Sequence, residues 1–432
     1  MQDMNNKLAG LGVILAFSMS IEAEAATDIH CGFLLDVERK KVIENQHILV
    51  EGGVIKEIGS SINIPDGASK IDLSAQYCAP GLMDMHVHLF IDSKKGETDD
   101  QAAPTQSSAY KALLGIRKVQ ILLNSGFTTI RIPGDIDYHY AGIEIRNAIN
   151  RGEFTGPRML VAPHAISQLG GHGDFNSYSP DLPYKIMGPL IADGVGEIRK
   201  AVRKEIKYGA DWIKVMASGG VMSQNDDPTV AAYTQEEFNA FADEAHRQKK
   251  KITAHAHGDE AIRMAVEAGF DSIEHATMMS DETAKLMVKK GTFYVPTLYV
   301  LDWILEMGQK GAIPASSYEK AKFVATRHSK SVKLAYKYGI KMALGSDPIF
   351  PMDQAIREFR AMTVSIPDNW HVLQAGTING AELLGLKDEI GSLKVGKQAD
   401  IVAMPQNPIA LMKNIENIGF VMKGGMIVRN DY

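Results

Sequence analysis

Two pairs of histidines are the first residues in this chain whose type and spacing suit metal chemistry. His86 and His88 end the apolar run that begins at Gly81, and His255 and His257 end a second apolar run. Side chains two positions apart on a strand point to the same face, so each pair can present two imidazoles to one point. Imidazole is a common neutral ligand of zinc. A lone His-x-His pair is equally compatible with two solvated histidines at a strand end. The number of further candidate ligands therefore decides between a metal site and solvated histidines.

Further ionisable residues lie in or after other apolar runs. Lys214 is inside the run 212–216, where an unpaired ammonium would be costly to bury. His275 follows Glu274 at the end of a later run, and Asp347 ends another. Taken singly, a buried histidine is more often a hydrogen-bonded core residue, and Asp347 could simply cap the next helix. Six of these residues, at the ends of five runs, together predict a metal site: His86, His88, Lys214, His255, His275 and Asp347.

The elements that must position these residues are short apolar runs separated by amphipathic stretches. In one helical stretch, 234–248, Thr234 is the expected N-cap and Glu237 completes a capping box. Strands that alternate with helices predict an α/β fold with a parallel sheet, and eight such units fit a (β/α)8 TIM barrel. In a barrel, the chemistry lies at the C-terminal ends of the strands. The eight predicted strands are the apolar runs 82–90, 128–132, 158–162, 212–217, 252–256, 272–276, 292–298 and 341–346.

An open doubly wound sheet is the alternative to a barrel. Such a sheet usually has a glycine-rich dinucleotide turn after its first strand. This chain has His86 and His88 at that place, which favours the barrel.

Short β-rich segments lie at both ends of the chain and predict a small β-sandwich domain built from both termini. Two glycine pairs, Gly52-Gly53 and Gly424-Gly425, are typical of hairpin turns. We therefore expect residues 26–78 and 388–432 to form the sandwich around a barrel at 79–387. The expected strands are 28–35, 47–51, 54–58, 390–393, 399–404, 418–423 and 426–429.

The first 25 residues have the pattern of a signal peptide. Lys7 gives a short positive start, an apolar stretch follows, and Ala23-Glu24-Ala25 resembles a cleavage site. An amphipathic or disordered N-terminus is the alternative. We expect an exported protein, periplasmic or secreted, with no membrane span after cleavage. Export makes a disulfide between Cys31 and Cys78 chemically feasible. Two cysteines do not make a disulfide framework, however, so we expect two separate buried thiols.

Composition excludes some partners. The chain has 432 residues, a net charge of −6 and 23% charged residues, which gives no basic surface for nucleic acid. The expected partner is a small molecule, and homo-oligomerisation is left open.

The candidate ligands resemble those of the amidohydrolase superfamily in its binuclear form with a carboxylated lysine. The resemblance runs from Pro80-Gly81 to the end of the chain, and residues 391–400 resemble the return into the sandwich. It implies two divalent ions, expected to be Zn²⁺, bridged by a carbamate on Lys214. Two cations would offset the cost of burying that anion. The implied ligands of one ion are His86, His88 and Asp347, and those of the other are His255 and His275.

Within the superfamily, the chain most resembles Xaa-Pro and Xaa-Arg/Lys carboxypeptidases (prolidases) and ochratoxin-hydrolysing amidases. The supporting stretches are 170–174, 214–220 and 272–277. The resemblance implies hydrolysis of the amide bond of a C-terminal amino acid, in dipeptides or N-acyl amino acids, by a metal-bridging hydroxide. Asp347 would move the proton as general acid and base. The alternatives are a cyclic-amide hydrolase or deaminase of the same superfamily, or an exported binding protein with a structural metal.

Residues that contact the substrate should lie on the loops that follow the strands. A substrate carboxylate would need a cation or a hydroxyl donor, and an ordinary polar role is equally compatible with each candidate. His257 and Glu274 are candidates for orienting the metal ligands through hydrogen bonds. The candidates for binding the carboxylate are Tyr233, His139, His172 and Arg131.

Overall fold

The structure is a computed structural model that describes residues 26–91, 105–137, 139–176, 179, 181 and 190–432. The predicted signal peptide lies outside the described residues. Within them, no helix is long and apolar enough to cross a bilayer.

Sixteen strands and eleven α-helices are described, together with 3₁₀ helices at Met352–Arg357 and Met412–Asn417. The strands are β1 (Thr27–Asp36), β2 (Lys41–Glu51), β3 (Val54–Gly59), β4 (Ser69–Pro80), β5 (Leu82–Asp84), β6 (Phe127–Pro133), β7 (Arg158–Ala162), β8 (Ala165–Ser167), β9 (Leu190–Ile191), β10 (Trp212–Met216), β11 (Lys251–Ala256), β12 (Ser272–His275), β13 (Phe293–Val295), β14 (Ile401–Met404), β15 (Phe420–Lys423) and β16 (Met426–Asn430). The helices are α1 (Ser108–Asn124), α2 (Ala141–Asn150), α3 (Gly194–Lys207), α4 (Gln235–Arg247), α5 (Asp259–Ala268), α6 (Asp281–Lys290), α7 (Leu298–Gln309), α8 (Ala315–Tyr338), α9 (Glu358–Thr363), α10 (Asn369–Ala375) and α11 (Ile378–Leu384).

Strands from both ends of the chain form one seven-stranded sheet, in the order β16-β15-β14-β4-β1-β2-β3. The centre of this sheet joins the two ends, because β4 pairs parallel to β1 and antiparallel to β14. Gly52-Gly53 and Gly424-Gly425 all have positive φ, which the tight turns between β2 and β3 and between β15 and β16 require. The predicted hairpins are confirmed, as is a small β domain built from both termini.

Cys31 on β1 and Cys78 on β4 form a disulfide, with their Cα atoms 6.2 Å apart. The expectation of two separate thiols was wrong. Parallel pairing of β1 with β4 brings the two cysteines to neighbouring strands, because Leu34 lies opposite Cys78 in the register. Periodicity along the sequence does not encode that pairing.

Residues 390–392 form a bend, and 390–393 contain no strand, against the prediction. Gly391 has a φ of +88°, and a Cβ there would lie 2.6 Å from the Cβ of Ala381. The chain therefore packs its backbone closely against α11 at this point, which excludes a regular strand.

Between the two halves of the small domain, parallel strands alternate with helices as predicted. β5, β6 and β7 form one sheet, and β13, β12, β11, β10, β8 and β9 form another. Hydrogen bonds link the two sheets at both seams. Asp211 N donates to Val161 O at 2.8 Å at one seam. At the other seam, Met342 bridges to Tyr294, and Met85 N donates to Leu344 O at 2.7 Å. Together with the solved structures compared below, this arrangement confirms the TIM-barrel fold class.

Helix α4 shows how local sequence fixes an element of the barrel. Thr234 caps its N-terminus, and the capping box with Glu237 is formed as predicted. The buried face of the helix, with Phe238 and Phe241, packs into the large apolar core.

Candidate metal centre

All six predicted ligands line one cavity of about 190 Å³. They reach it from β10, β11 and β12, from the residues just after β5 and from the segment after residue 344, so the barrel gathers residues that are far apart in sequence. The ligands that share the cavity are His86, His88, Lys214, His255, His275 and Asp347.

His86 and His88 are held with one nitrogen each towards a common point. His86 Nδ1 donates to Glu274 Oε2 at 2.8 Å, and His88 Nδ1 donates to the carbonyl of Gly134 at 2.8 Å. The two Nε2 atoms are therefore left facing each other at 3.1 Å. Asp347 Oδ1 lies 3.3 Å from His88 Nε2 and 3.7 Å from His86 Nε2.

This convergence of lone pairs fits a cation. Burial lowers the pKa of His86 to about 4, which keeps its imidazole neutral. Burial also opposes the charged form of His88, but the hydrogen bond and charge of Asp347 outweigh it and raise the pKa of His88. A metal ion held by these groups would compete with the proton for His88 Nε2, so its binding would depend on pH.

His275 and His255 face the same region from the next strands. His275 Nδ1 bonds to Thr297 Oγ1 at 2.7 Å, and one ligand atom from each of His86, His275 and Asp347 lies within 4.8 Å of the others. His255 Nε2 is buried and has no hydrogen-bond partner among the described residues. A buried nitrogen without a partner is costly unless it binds a ligand, so this atom too fits a metal ion.

Backbone strain concentrates at the same place. His275, Ala276, Thr297 and Asp347 all have positive φ, between 39° and 68°. Such conformations cost of order 1–3 kcal/mol each in residues other than glycine and cluster at functional sites. Three of these four residues, His275, Thr297 and Asp347, line the cavity.

Lys214 is buried on β10, between Ala165 of β8 and Thr253 of β11. No hydrogen bond or ion pair joins its Nζ to any residue that the structure describes. Burial lowers the pKa of Lys214 to about 8, against the opposing charges of Glu274 and Asp347. An amine with this pKa is partly neutral near pH 7, and the neutral amine is the form that reacts with carbon dioxide.

Two buried carboxylates, Glu274 and Asp84, hold the predicted ligands in position through hydrogen bonds. Glu274 accepts from His86, from Arg131 at 2.6 Å and from Ser272 at 3.0 Å. Burial opposes its charge, but Arg131 and His86 hold the pKa of Glu274 well below its usual range. Glu274 therefore holds the ring of His86, one of the predicted ligands, in a fixed orientation.

Asp84 is the brace that sequence reasoning missed. It accepts hydrogen bonds from the backbone N–H groups of His86 and Ser346, both at 3.0 Å, and from the Ser346 hydroxyl. It thereby ties the first strand of the barrel to the segment that carries Asp347. Burial raises the pKa of Asp84 to about 7. A carboxylate inside an apolar run was the sequence signal that could have identified it.

The structure corrects three of the four candidates for binding a substrate carboxylate. Arg131 is fully buried and commits its guanidinium to Met85 O, Ser272 and Glu274, below the cavity. Tyr233 is buried against apolar residues, and its hydroxyl donates to Ala192 O at 3.2 Å.

His139 is exposed and does not line the cavity. His172 does line it, and so does His257, whose Nδ1 bonds to Thr277 Oγ1 at 2.9 Å. His328 of α8 also lines the cavity. Sequence analysis missed His328 because it lies in a helix and not at a strand end.

Glu274→Gln should destabilise the fold and weaken metal binding. The substitution leaves the buried guanidinium of Arg131 without its counter-charge, which costs about 3–5 kcal/mol. It also loosens His86, and loss of such a partner typically lowers metal affinity about 10–100-fold. Urea unfolding and metal titration measure the two effects. Glu282→Gln, at an exposed position of α6, is the control. Wild-type values for Glu274→Gln would contradict this account of the network.

The chain matches the family model described as "Amidohydrolase family" over residues 77–428, so it belongs to the amidohydrolase family. Ochratoxinase of Aspergillus niger is 32% identical over 430 aligned positions, which cover 95% of this chain and 88% of the relative.

Two solved structures show the same fold. A Xaa-Pro dipeptidase with bound methionine in the active site is 33% identical, with a TM-score of 0.88, and the match covers 94% of this chain and all of that one. The structure of A. niger ochratoxinase is 30% identical, with a TM-score of 0.83, and the match covers 95% of this chain and 96% of that one. Both relatives belong to the branches that the sequence resembled.

Proposed function

We propose that this amidohydrolase cleaves the amide bond of a C-terminal amino acid, in N-acyl amino acids or dipeptides, with two zinc ions as cofactors. The observation that carries the proposal is the convergence of six ligands on a single cavity that also has an apolar wall. The names of two relatives, ochratoxinase and a Xaa-Pro dipeptidase, support this substrate class.

The donor set suits two divalent ions. His86, His88 and Asp347 would hold one ion, His255 and His275 would hold the other, and a carbamate on Lys214 would bridge them. The carbamate forms when neutral Lys214 Nζ bonds to the carbon of CO₂ and releases a proton to solvent. When bound, the two ions lower the pKa of a water molecule towards 7 and polarise a carbonyl oxygen.

Residues of the chain would transfer the proton and position the reacting groups. Asp347 lies beside both histidines that follow β5, where its carboxylate can take a proton from water and pass it to the leaving nitrogen. Glu274 and Asp84 fix the positions of His86 and Asp347, so the reacting groups are held in place before the substrate binds.

The apolar wall supports a preference for large apolar groups. Val300, Leu301 and Ile304 reach the cavity from α7, and Val324 reaches it from α8. An apolar group on the substrate gains about 0.8 kcal/mol for each CH₂ that it buries there.

Ile304→Phe should therefore lower kcat/KM for substrates with large apolar groups by roughly 10–200-fold, the range for a mismatch of a methylene or more in such a pocket. Substrates with alanine-sized groups should lose much less. Val288→Phe, at an exposed position of α6, is the control. Equal losses for large and small substrates would show that this wall does not contact the group that varies.

The direct test is an assay of N-acyl amino acids, dipeptides and cyclic amides with the zinc-loaded chain and with a chelated sample. Zinc-dependent release of free C-terminal amino acids is the expected result. Hydrolysis of cyclic amides alone, or release of ammonia from an aminated ring, would replace the proposal with one of the alternatives.

We also propose that the protein is exported. The leader-like residues 1–25 and the disulfide between Cys31 and Cys78 support this localisation. Mass spectrometry of the chain recovered outside the cytoplasm should find an N-terminus near residue 26. An intact N-terminus and free thiols in a protein confined to the cytoplasm would exclude export.

A further inference from the structure

His255 differs from the other predicted histidine ligands in how it is held. His86, His88 and His275 each bond through Nδ1 to Glu274, Gly134 or Thr297. No described residue forms a hydrogen bond with either ring nitrogen of His255. A metal-binding histidine normally gains its orientation from such a bond. The orientation of the His255 ring must therefore come from packing.

The packing partner is His172. Its ring stacks on the ring of His255, with a centroid distance of 4.2 Å and an angle of 26° between the planes. Gly220 lies against His172 on the loop after β10, and a Cβ at Gly220 would come within 2.1 Å of the ring. His172 is thus fitted closely between a glycine backbone and a metal ligand.

His172 is fixed by a polar clamp, which we define as Ser223, Asp226 and Lys320. His172 Nδ1 lies 2.6 Å from Ser223 Oγ and 3.5 Å from Asp226 Oδ2. Ser223 Oγ donates to Asp226 Oδ2 at 2.5 Å.

Lys320 completes the clamp from helix α8. Its Nζ donates to Asp226 Oδ1 at 2.6 Å and to the carbonyls of Gly220 and Ser223 at 3.0 Å each. Asp226 and Lys320 are largely buried, with side chains 5% and 20% exposed. One ammonium therefore holds the loop after β10, and with it His172, to the wall of the cavity.

We infer that Asp226 and Lys320 are positioning residues, which hold His172 against His255 and so set the geometry of the metal ion that His255 binds. The inference rests on the proposed metal site but not on the identity of the substrate. Its consequence is an asymmetry, because loss of the clamp weakens the ion on His255 and spares the ion on His86 and His88.

The test is metal affinity, measured by titrating the zinc-loaded chain with a competing chelator. Asp226→Asn and Lys320→Gln should each lower the affinity for one of the two ions by roughly 10–100-fold, the range for partners of metal ligands. Excess zinc should restore kcat. Lys322→Gln removes an exposed ion pair with Glu319 on the same helix and is the matched control.

A pair of substitutions at His172 separates stacking from hydrogen bonding. His172→Phe keeps an aromatic ring between Gly220 and His255 but loses the bonds to the clamp, so it should retain more of the metal affinity than His172→Ala. Gly220→Ala should act like His172→Ala, because the new Cβ displaces the ring. Gly196→Ala, where an added Cβ meets nothing within 4 Å, controls for the glycine change.

Several results would overturn the inference. Wild-type affinity for both ions in Asp226→Asn and Lys320→Gln would remove the role of the clamp, as would equal loss of both ions. If those variants fail to fold, equal affinities for His172→Phe and His172→Ala would overturn it instead. A chain that binds two ions with this asymmetry but hydrolyses no amide would refute the proposed function and leave the clamp in place.

Discussion

Lys214→Ala should give a folded protein that binds metal more than about 100-fold more weakly. The lost group would bridge both ions, and loss of a residue that only hydrogen-bonds to a metal ligand already lowers metal affinity about 10–100-fold. Amide hydrolysis should fall to background. Stability of the metal-free protein should stay the same or rise, since the wild-type chain buries an ammonium that no described residue pairs. Metal analysis, an amide assay and urea unfolding measure the three quantities.

Two controls define what Lys214→Ala reports. Lys341→Ala removes an exposed lysine that pairs with Glu382, and it should leave metal content and turnover unchanged. Adding a short carboxylate such as propionate to Lys214→Ala should restore part of both, because it supplies two oxygens where the carbamate would be. Full metal content with unchanged turnover in Lys214→Ala would eliminate the bridging role.

Asp347→Asn should lower kcat by about 10²–10⁴-fold, the usual contribution of general acid–base catalysis. Asparagine keeps the size of the side chain and one oxygen that can bind metal, but it cannot accept a proton. It also tolerates the left-handed backbone at this position, where φ is +52°. The fold and KM should therefore change little, and steady-state kinetics with thermal unfolding tests both.

Asp353→Asn is the control, because Asp353 is exposed in the 3₁₀ helix that follows Asp347. It should keep wild-type kinetics. A near-normal kcat for Asp347→Asn would remove the acid–base assignment, and another group in the cavity would have to move the proton.

The convergence of the candidate ligands on one cavity and the barrel were predictable from sequence, because both depend on local patterns. Two histidines two apart face one way on any strand, so the pairs at His86 and His255 indicated their strand ends directly. The capping box of α4 is likewise local, since Thr234 and Glu237 are three residues apart. In a barrel these strand ends lie at the same face, so their proximity can be predicted without information on side-chain contacts.

The roles of Arg131, Tyr233 and Asp84 could not be predicted from sequence, because they depend on contacts between residues far apart in the chain. Arg131 has the chemistry of a carboxylate binder, but it lies beneath the cavity and pairs with Glu274, 143 positions later. Tyr233 turns into the core, and only the packing around it shows this. The position of Asp84 inside an apolar run marks it as unusual, but its role depends on a hydrogen bond with Ser346, 262 positions away.

The small sheet has a consequence for the order in which the chain is made. β4 ends at residue 80 and needs β14, which begins at residue 401, as its antiparallel neighbour. At about 5–20 residues per second, the ribosome needs roughly 16–64 s to synthesise the intervening segment. Until then the edge of β4 is unpaired, and unpaired edges are templates for aggregation. A product of premature termination before residue 401 would keep that edge permanently, so only finished polypeptides can bury it.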